Sequence, residues 1–181
     1  EILGVVGGSG TGKSVLLRSI TGLQRPAAGS IEVFGIDVVA DLDSARETLD
    51  DRWVVMFQDG ALFSSLTVRE NVEVPMRSVP GLSPAIRREL ADLKISMVGL
   101  PYNAGDKYPS ELSGGMRKRA GLARALALDP DIVFLDEPTA GLDPIGAAAF
   151  DTLIRDLSRS LGLTVFLVTH DLDTLRSEER R

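Results

Sequence analysis

The chain has 181 residues, enough for one domain with its own core. Apolar residues make up 44% and charged residues 25%, and a net charge of -6 runs against the basic field expected for a nucleic-acid partner. There is no cysteine, which excludes disulfides and thiolate metal sites, and no apolar run approaches the ~18 residues of a membrane-spanning helix.

In chain order, Ile2–Val6 reads as a buried strand entering a Gly-rich turn. No initiator Met precedes it, so the chain is expected to be a piece whose first strands lie upstream. Leu16, Ile20 and Leu23 then recur at helical spacing, and residues 29–33 suggest a turn and a short strand. Residues 53–57 are apolar, too short for a helix, and end at Gln58, which predicts a second buried strand.

From about residue 66 to 127 the pattern is helical. Ser83-Pro84 predicts a helix start, with Ile86, Leu90, Leu93 and Met97 on its apolar face. Residues 101–109 read as a polar connector. After Gly114, Met116, Ala120, Ala123 and Ala127 share one helix face, opposite Arg117 and Arg124. Residues 131–135 predict a strand. Asp143-Pro144 opens a helix with Phe150, Leu153, Leu157 and Leu161 inward and Gly162 closing it, and residues 164–168 predict a last strand. Strands alternating with helices imply a parallel α/β sheet, with residues 66–127 inserted as a helical subdomain.

The loop Gly7-Gly8-Ser9-Gly10-Thr11-Gly12-Lys13-Ser14 has the G-x-x-x-x-G-K-[ST] spacing. Glycines let backbone N–H groups turn toward phosphate oxygens at a helix N-terminus. Lys13 would reach the β- and γ-phosphates of ATP, and Ser14 would hold Mg²⁺. Asp136 ends an apolar strand where parallel sheets bind ligands, and would hold Mg²⁺ through its water shell. Glu137 would act as general base on the attacking water. His170, the one histidine, also follows an apolar strand and would hydrogen-bond the γ-phosphate. Gln58 would contact Mg²⁺ or the water. Ser113-Gly114-Gly115 opens a helix and offers a second anion site, which one phosphate loop does not need for its own nucleotide. Two domains placed head to tail would use it, while the plain alternative is a helix N-cap with a glycine turn.

Together these residues resemble the nucleotide-binding subunit of ABC transporters over nearly the whole chain. Residues 7–14 are similar to the Walker A loop, Gln58 to the Q-loop, residues 112–116 to the ABC signature and residues 132–137 to Walker B with its catalytic Glu. Ala140-Gly141-Leu142-Asp143 resembles the D-loop, which adds Asp143 to the nucleotide contacts, and His170 the switch histidine. The resemblance implies a P-loop NTPase fold with one ABC ATP-binding domain over 1–181, its core at about 1–65 and 128–181 and its helical part at about 66–127. It also implies ATP and Mg²⁺ as ligands, a head-to-tail homodimer, a transmembrane permease as partner, and a place on the cytoplasmic face of the inner membrane.

Two departures stand out. Met116 replaces the usual Gln of the signature, and the adenine-stacking aromatic expected upstream of residues 7–14 is absent because the chain starts too late. The tail from Arg176 to Arg181 does not resemble the family's next strand, so the piece alone is expected to bind nucleotide weakly. More narrowly, Met56-Phe57-Gln58-Asp59-Gly60-Ala61-Leu62-Phe63 and Ser113-Gly114-Gly115-Met116-Arg117-Lys118-Arg119-Ala120 resemble the ATPases of Mla and Mce lipid transporters. That implies a phospholipid or related cargo and a lipid-binding periplasmic component. Leu62, Phe63, Leu66, Val74, Pro75 and Met76 would form the apolar groove for the permease.

The alternatives are another ABC transporter ATPase, for amino acids or lipoprotein release, and a non-transport ABC ATPase of DNA repair or translation. The segment between the phosphate loop and Ser113 carries no sustained heptads, unlike the coiled coil of the repair type. The chain holds one cassette, unlike the translation type.

Overall fold

Apolar runs of four to six residues line up side by side as a four-stranded parallel sheet. In the computed structural model, which describes residues 1–8, 10–40, 48–49, 51–57 and 60–170, these are β1 (Ile2–Val6), β4 (Trp53–Met56), β5 (Ile132–Asp136) and β6 (Thr164–Thr169), in the order β1-β6-β5-β4. The register sets Val6 opposite Thr169 and Asp136 opposite Val168. Gly7, Glu137 and His170 therefore leave the sheet at one level, at its C-terminal edge, where open parallel sheets bind ligands. The predicted tail after His170 lies outside the described residues.

Strand alternation divides the core. Phe134 faces α1 (Lys13–Ile20), meeting Leu17, Val168 and the rings of Trp53 and Phe166, with centroids 5.9 and 5.4 Å away. Val133 and Leu135 face the other way, toward Phe150, Ile154 and Leu157 of α5 (Pro144–Leu161) and toward the helices α2 (Val68–Met76), α3 (Pro84–Met97) and α4 (Gly114–Ala125). These last three helices pack on one another.

Several helix phases differ from the sequence reading. In α1 the buried apolar residue is Leu17, with Ser19 buried beside it; Leu16 is exposed, and Leu23 lies beyond the helix end and is exposed too. Gly12 starts the helix, and that start sets the phase that aims Leu17 at Phe134. In α3, Ala91, Lys94 and Ile95 are buried whereas Ile86 and Leu93 are half exposed. The buried face is turned because Ala91 permits close packing and Lys94 pairs with Asp129, a left-handed turn residue before β5. In α5, Ile154 is buried and Leu161, in the last turn, is exposed. The predicted caps hold: Ser83 accepts from Ile86 N, and Gly162 ends α5 at φ 69.

Helix α4 is buried on more than the alanine face: Lys118, Gly121 and Leu122 are inside as well, and Ala127 lies past its end in a 3₁₀ turn. Residues 101–109 are more than a connector. The 3₁₀ turn Tyr102–Asp106 buries Ala104 and Gly105, and Gly105 backs onto the Arg69 guanidinium, which pairs with Asp92 at 2.6 Å and with Asp106. The strand expected at residues 29–33 is half of a hairpin, β2 (Glu32–Val33) with β3 (Ile36–Asp37), turned by Phe34 and Gly35 at φ 52 and 80. The Phe34 ring lies 3.7 Å beneath Arg52, which bonds Asp131 ahead of β5.

Candidate active site

The phosphate loop starts where β1 ends. Gly7 has no room for a side chain, since a Cβ there would stand 2.8 Å from the Thr11 hydroxyl oxygen, and that hydroxyl donates to the Gly8 carbonyl. Gly12 caps α1 at φ 89 with no side-chain cap, so the first-turn N–H groups of α1 remain directed at the loop. Lys13 Nζ donates to the Gly7 and Gly8 carbonyls at 2.5 and 2.9 Å, which keeps its charge inside the loop rim.

Asp136 lies at the end of the neighbouring β5. Burial raises its carboxyl above the usual range, and the charge of Glu137 raises it further; a hydrogen bond from Ser14 and the cations Arg18 and Lys13 act the other way. Its Oδ1 is buried without a hydrogen bond. A buried carboxylate oxygen with a serine hydroxyl beside it is a fitting donor set for Mg²⁺, which takes one or two protein oxygens and completes its shell with phosphate and water. No cluster of three His, Cys, Asp or Glu exists among the described residues.

Glu137 adopts φ 49, a left-handed backbone uncommon for a residue with a Cβ, while its N–H bonds the Val168 carbonyl at 2.9 Å. This turn directs the carboxylate to His170, with Oε2 2.5 Å from Nδ1. Glu137 is mostly covered, at 21% side-chain exposure, and His170 is open at 63%. Residues 10–15, Gly8, Glu137 and His170 line one open cavity of about 710 Å³.

The structure thus brings together residues 7–8, 10–14, Asp136, Glu137 and His170. It leaves Ser113, Gly114 and Gly115 outside that cavity, at the exposed start of α4, where Ser113 caps the helix by accepting from Met116 N at 3.3 Å. Asp143 caps α5, accepting from Gly146 N at 2.8 Å. Ser9 and Gln58 lie outside the described residues. Arg18 was missed in the sequence, although its spacing of four from Ser14 places it on the same face of α1. Leu142 was missed as a packing residue: a Cβ on Gly114 or Gly115 would be 3.9 or 4.0 Å from its side chain.

The sequence matches the family model for ABC transporters over residues 1–140. It is 44% identical over 181 residues to the "Probable ribonucleotide transport ATP-binding protein mkl" of Mycobacterium bovis, covering 98% of this chain and 49% of that one. It is 41% identical over 176 residues to the "Methionine import ATP-binding protein MetN 2" of Paraburkholderia xenovorans, covering 97% and 45%. The chain therefore spans about half the length of these curated relatives. Among solved structures, a dimeric post-hydrolysis ATP-binding cassette bound to ADP and Pi superimposes with a TM-score of 0.86 at 34% identity, over 97% of this chain and 77% of that one.

Proposed function

Because this chain belongs to the ABC transporter family, we propose that it is the ATP-binding and ATP-hydrolysing part of a bacterial transporter, acting as one of two head-to-tail copies beneath a membrane permease. The observation that carries this reading is the convergence of Lys13, Ser14, Asp136, Glu137 and His170 on the C-terminal edge of one sheet. No helix among the described residues is long and apolar enough to cross a membrane, so membrane work falls to the permease, on whose cytoplasmic side at the inner membrane this subunit would sit.

In the proposed reaction the ATP phosphates lie at the N-terminus of α1, with Lys13 neutralising the β- and γ-oxygens. Ser14 and Asp136 would hold Mg²⁺, which when bound supplies charge neutralisation at the phosphates. Water attacks the γ-phosphorus in line, its proton passes to Glu137, and the bond to the ADP oxygen breaks. His170 steadies Glu137 through Nδ1 and leaves its other ring nitrogen for the γ-phosphate. Ser113–Gly115 and Asp143 would serve the partner subunit's nucleotide. Their position outside this chain's own cavity supports that role. Gln58 and Ser9 keep their roles from the resemblance.

For the cargo we infer a phospholipid or related lipid, on the resemblance of residues 56–63 and 113–120 to Mla- and Mce-type ATPases, with a lipid-binding periplasmic component as a further partner. Two relatives are named for ribonucleotide transport and methionine import, which sets the competing cargoes. Of the groove proposed for the permease, Met76 is buried and Leu62 packs on the core, which leaves Phe63, Leu66, Val74 and Pro75 to receive it.

The test is to purify the full-length protein carrying Glu137→Gln from its own membranes with ATP and Mg²⁺ and to identify its companions by mass spectrometry. A permease with a periplasmic lipid binder and bound phospholipid supports the whole reading. A permease with a nucleotide- or methionine-binding component keeps the ATPase and replaces the cargo. Ribosomes or repair proteins without a permease overturn it.

A further inference from the structure

The segment after β4 meets α4 at two glycines. A Cβ on Gly121 would stand 2.7 Å from Gly60 Cα and 3.0 Å from its carbonyl oxygen, so the two backbones are in direct contact. Gly121 lies inside a helix, where glycine costs about 1 kcal/mol against alanine. Its buried neighbours Ala120, Leu122 and Ala123 carry side chains. The close approach is the physical reason for glycine at this position.

The turn that touches it is strained and held. Gly60 has φ 71 and Ala61 φ 48, and a residue with a Cβ keeps that conformation only under constraint. Arg124, three residues past Gly121, donates from Nη1 to the Ala61 carbonyl and lies 4.7 Å over the Phe63 ring. On the other side, fully buried Asn71 of α2 accepts from Phe63 N at 2.7 Å and donates to the Phe63 and Leu66 carbonyls at 3.1 and 3.0 Å.

We propose that this contact is a clamp: Gly121 and Arg124 are positioning residues that make the turn after β4 and helix α4 move as one body. The clamp sets the height of Ser113–Gly115 relative to the strand ends that carry Asp136 and Glu137. It rests on the proposed role of Ser113–Gly115 toward the partner's nucleotide. Because β4 pairs with β5 up to Met56 opposite Leu135, the turn is tied to the strand bearing Asp136. Because a helix is stiff over the two turns from Gly121 back to Ser113, a displacement at the clamp reaches the start of α4.

The test uses the full-length protein with its permease. Gly121→Ala is expected to lower kcat for ATP at least tenfold while affinity for a fluorescent ATP analogue stays within twofold, since the phosphate loop does not touch the clamp. Arg124→Met should do the same, with Arg124→Lys, which keeps a donor for Ala61, recovering part of kcat; this pair carries the test if Gly121→Ala fails to fold. Amide exchange is read in parallel: residues 60–67 and 113–117 should gain protection together when ATP and Mg²⁺ are added. Unchanged kcat in Gly121→Ala and Arg124→Met, or kcat and affinity falling together with Tm, overturns the clamp. A wild-type protein that hydrolyses no ATP overturns the ATPase reading alone, and the exchange data then decide the clamp: joint protection upholds it, independent protection overturns it.

Discussion

Glu137 and His170 meet at 2.5 Å, Oε2 to Nδ1, although 33 residues separate them, because β5 and β6 end side by side. Glu137 is covered and His170 open, so the pair presents its carboxylate to the cavity wall and its ring to the incoming ligand. Replacing Glu137 by Gln keeps the shape and removes the proposed base. ATP turnover is expected to fall by about 100-fold or more, with nucleotide binding retained and a stable dimer seen by size-exclusion chromatography in ATP and Mg²⁺. Turnover at the native rate would refute the assignment.

Lys13 places a charge in the phosphate loop, and charged hydrogen bonds to phosphate contribute about 1.5–3 kcal/mol each. Lys13→Ala should therefore weaken ATP binding by roughly 10- to 100-fold, read by calorimetry on the full-length protein. Here the loss lies in binding itself, which separates this variant from Glu137→Gln.

Asp136 gives a pH signature. Its carboxyl is raised in the folded protein by burial and by the charge of Glu137, so the native state holds the proton more tightly than the unfolded chain. Stability therefore decreases as pH rises from the unfolded value toward the raised native one, and the cost is complete only above that native value. Without nucleotide or Mg²⁺, Asp136→Asn should raise Tm at pH 7 and leave it unchanged well below the usual carboxylate range. With Mg²⁺ and ATP the order should reverse, because wild type gains a stabilising cation that Asn holds poorly. Chelating Mg²⁺ should then erase the wild-type gain. A Tm for Asp136→Asn at or below wild type in the ligand-free condition would count against the buried-carboxylate account.

Arg69 is a stability test away from the chemistry. Its buried guanidinium joins α2 to Asp92 of α3 and to Asp106. Breaking a buried pair typically costs 3–5 kcal/mol, but both carboxylates keep some contact with water, so Arg69→Met should cost about 2 kcal/mol. Chemical denaturation measures this directly, and nucleotide affinity should be unchanged.

The strands and the convergence of Asp136, Glu137 and His170 were legible because each of these candidate residues ends or follows an apolar run, and because the glycine spacing of residues 7–14 admits few other structures. The helix faces were harder. Leu16, Ile86, Leu93 and Leu161 are apolar at helical spacing yet exposed, whereas Lys94 and Lys118 are buried. Periodicity assigns a face by residue type, and tertiary partners such as Asp129 rotate it. The Phe34-Gly35 hairpin was hidden because Phe is an unusual residue at φ 52, stabilised here by Arg52 from another element. The contact of Gly60 with Gly121 joins positions 61 apart in the chain, which no local pattern can reveal.

The backbone of Glu137 also sets selection for durability against selection for work. Its left-handed φ of 49 would be relaxed by glycine, which has no Cβ to disfavour that conformation. A library screened only for heat resistance should return Glu137→Gly among its survivors, while a library screened for the proposed ATP turnover should discard it. Position 137 is where those two lineages would part.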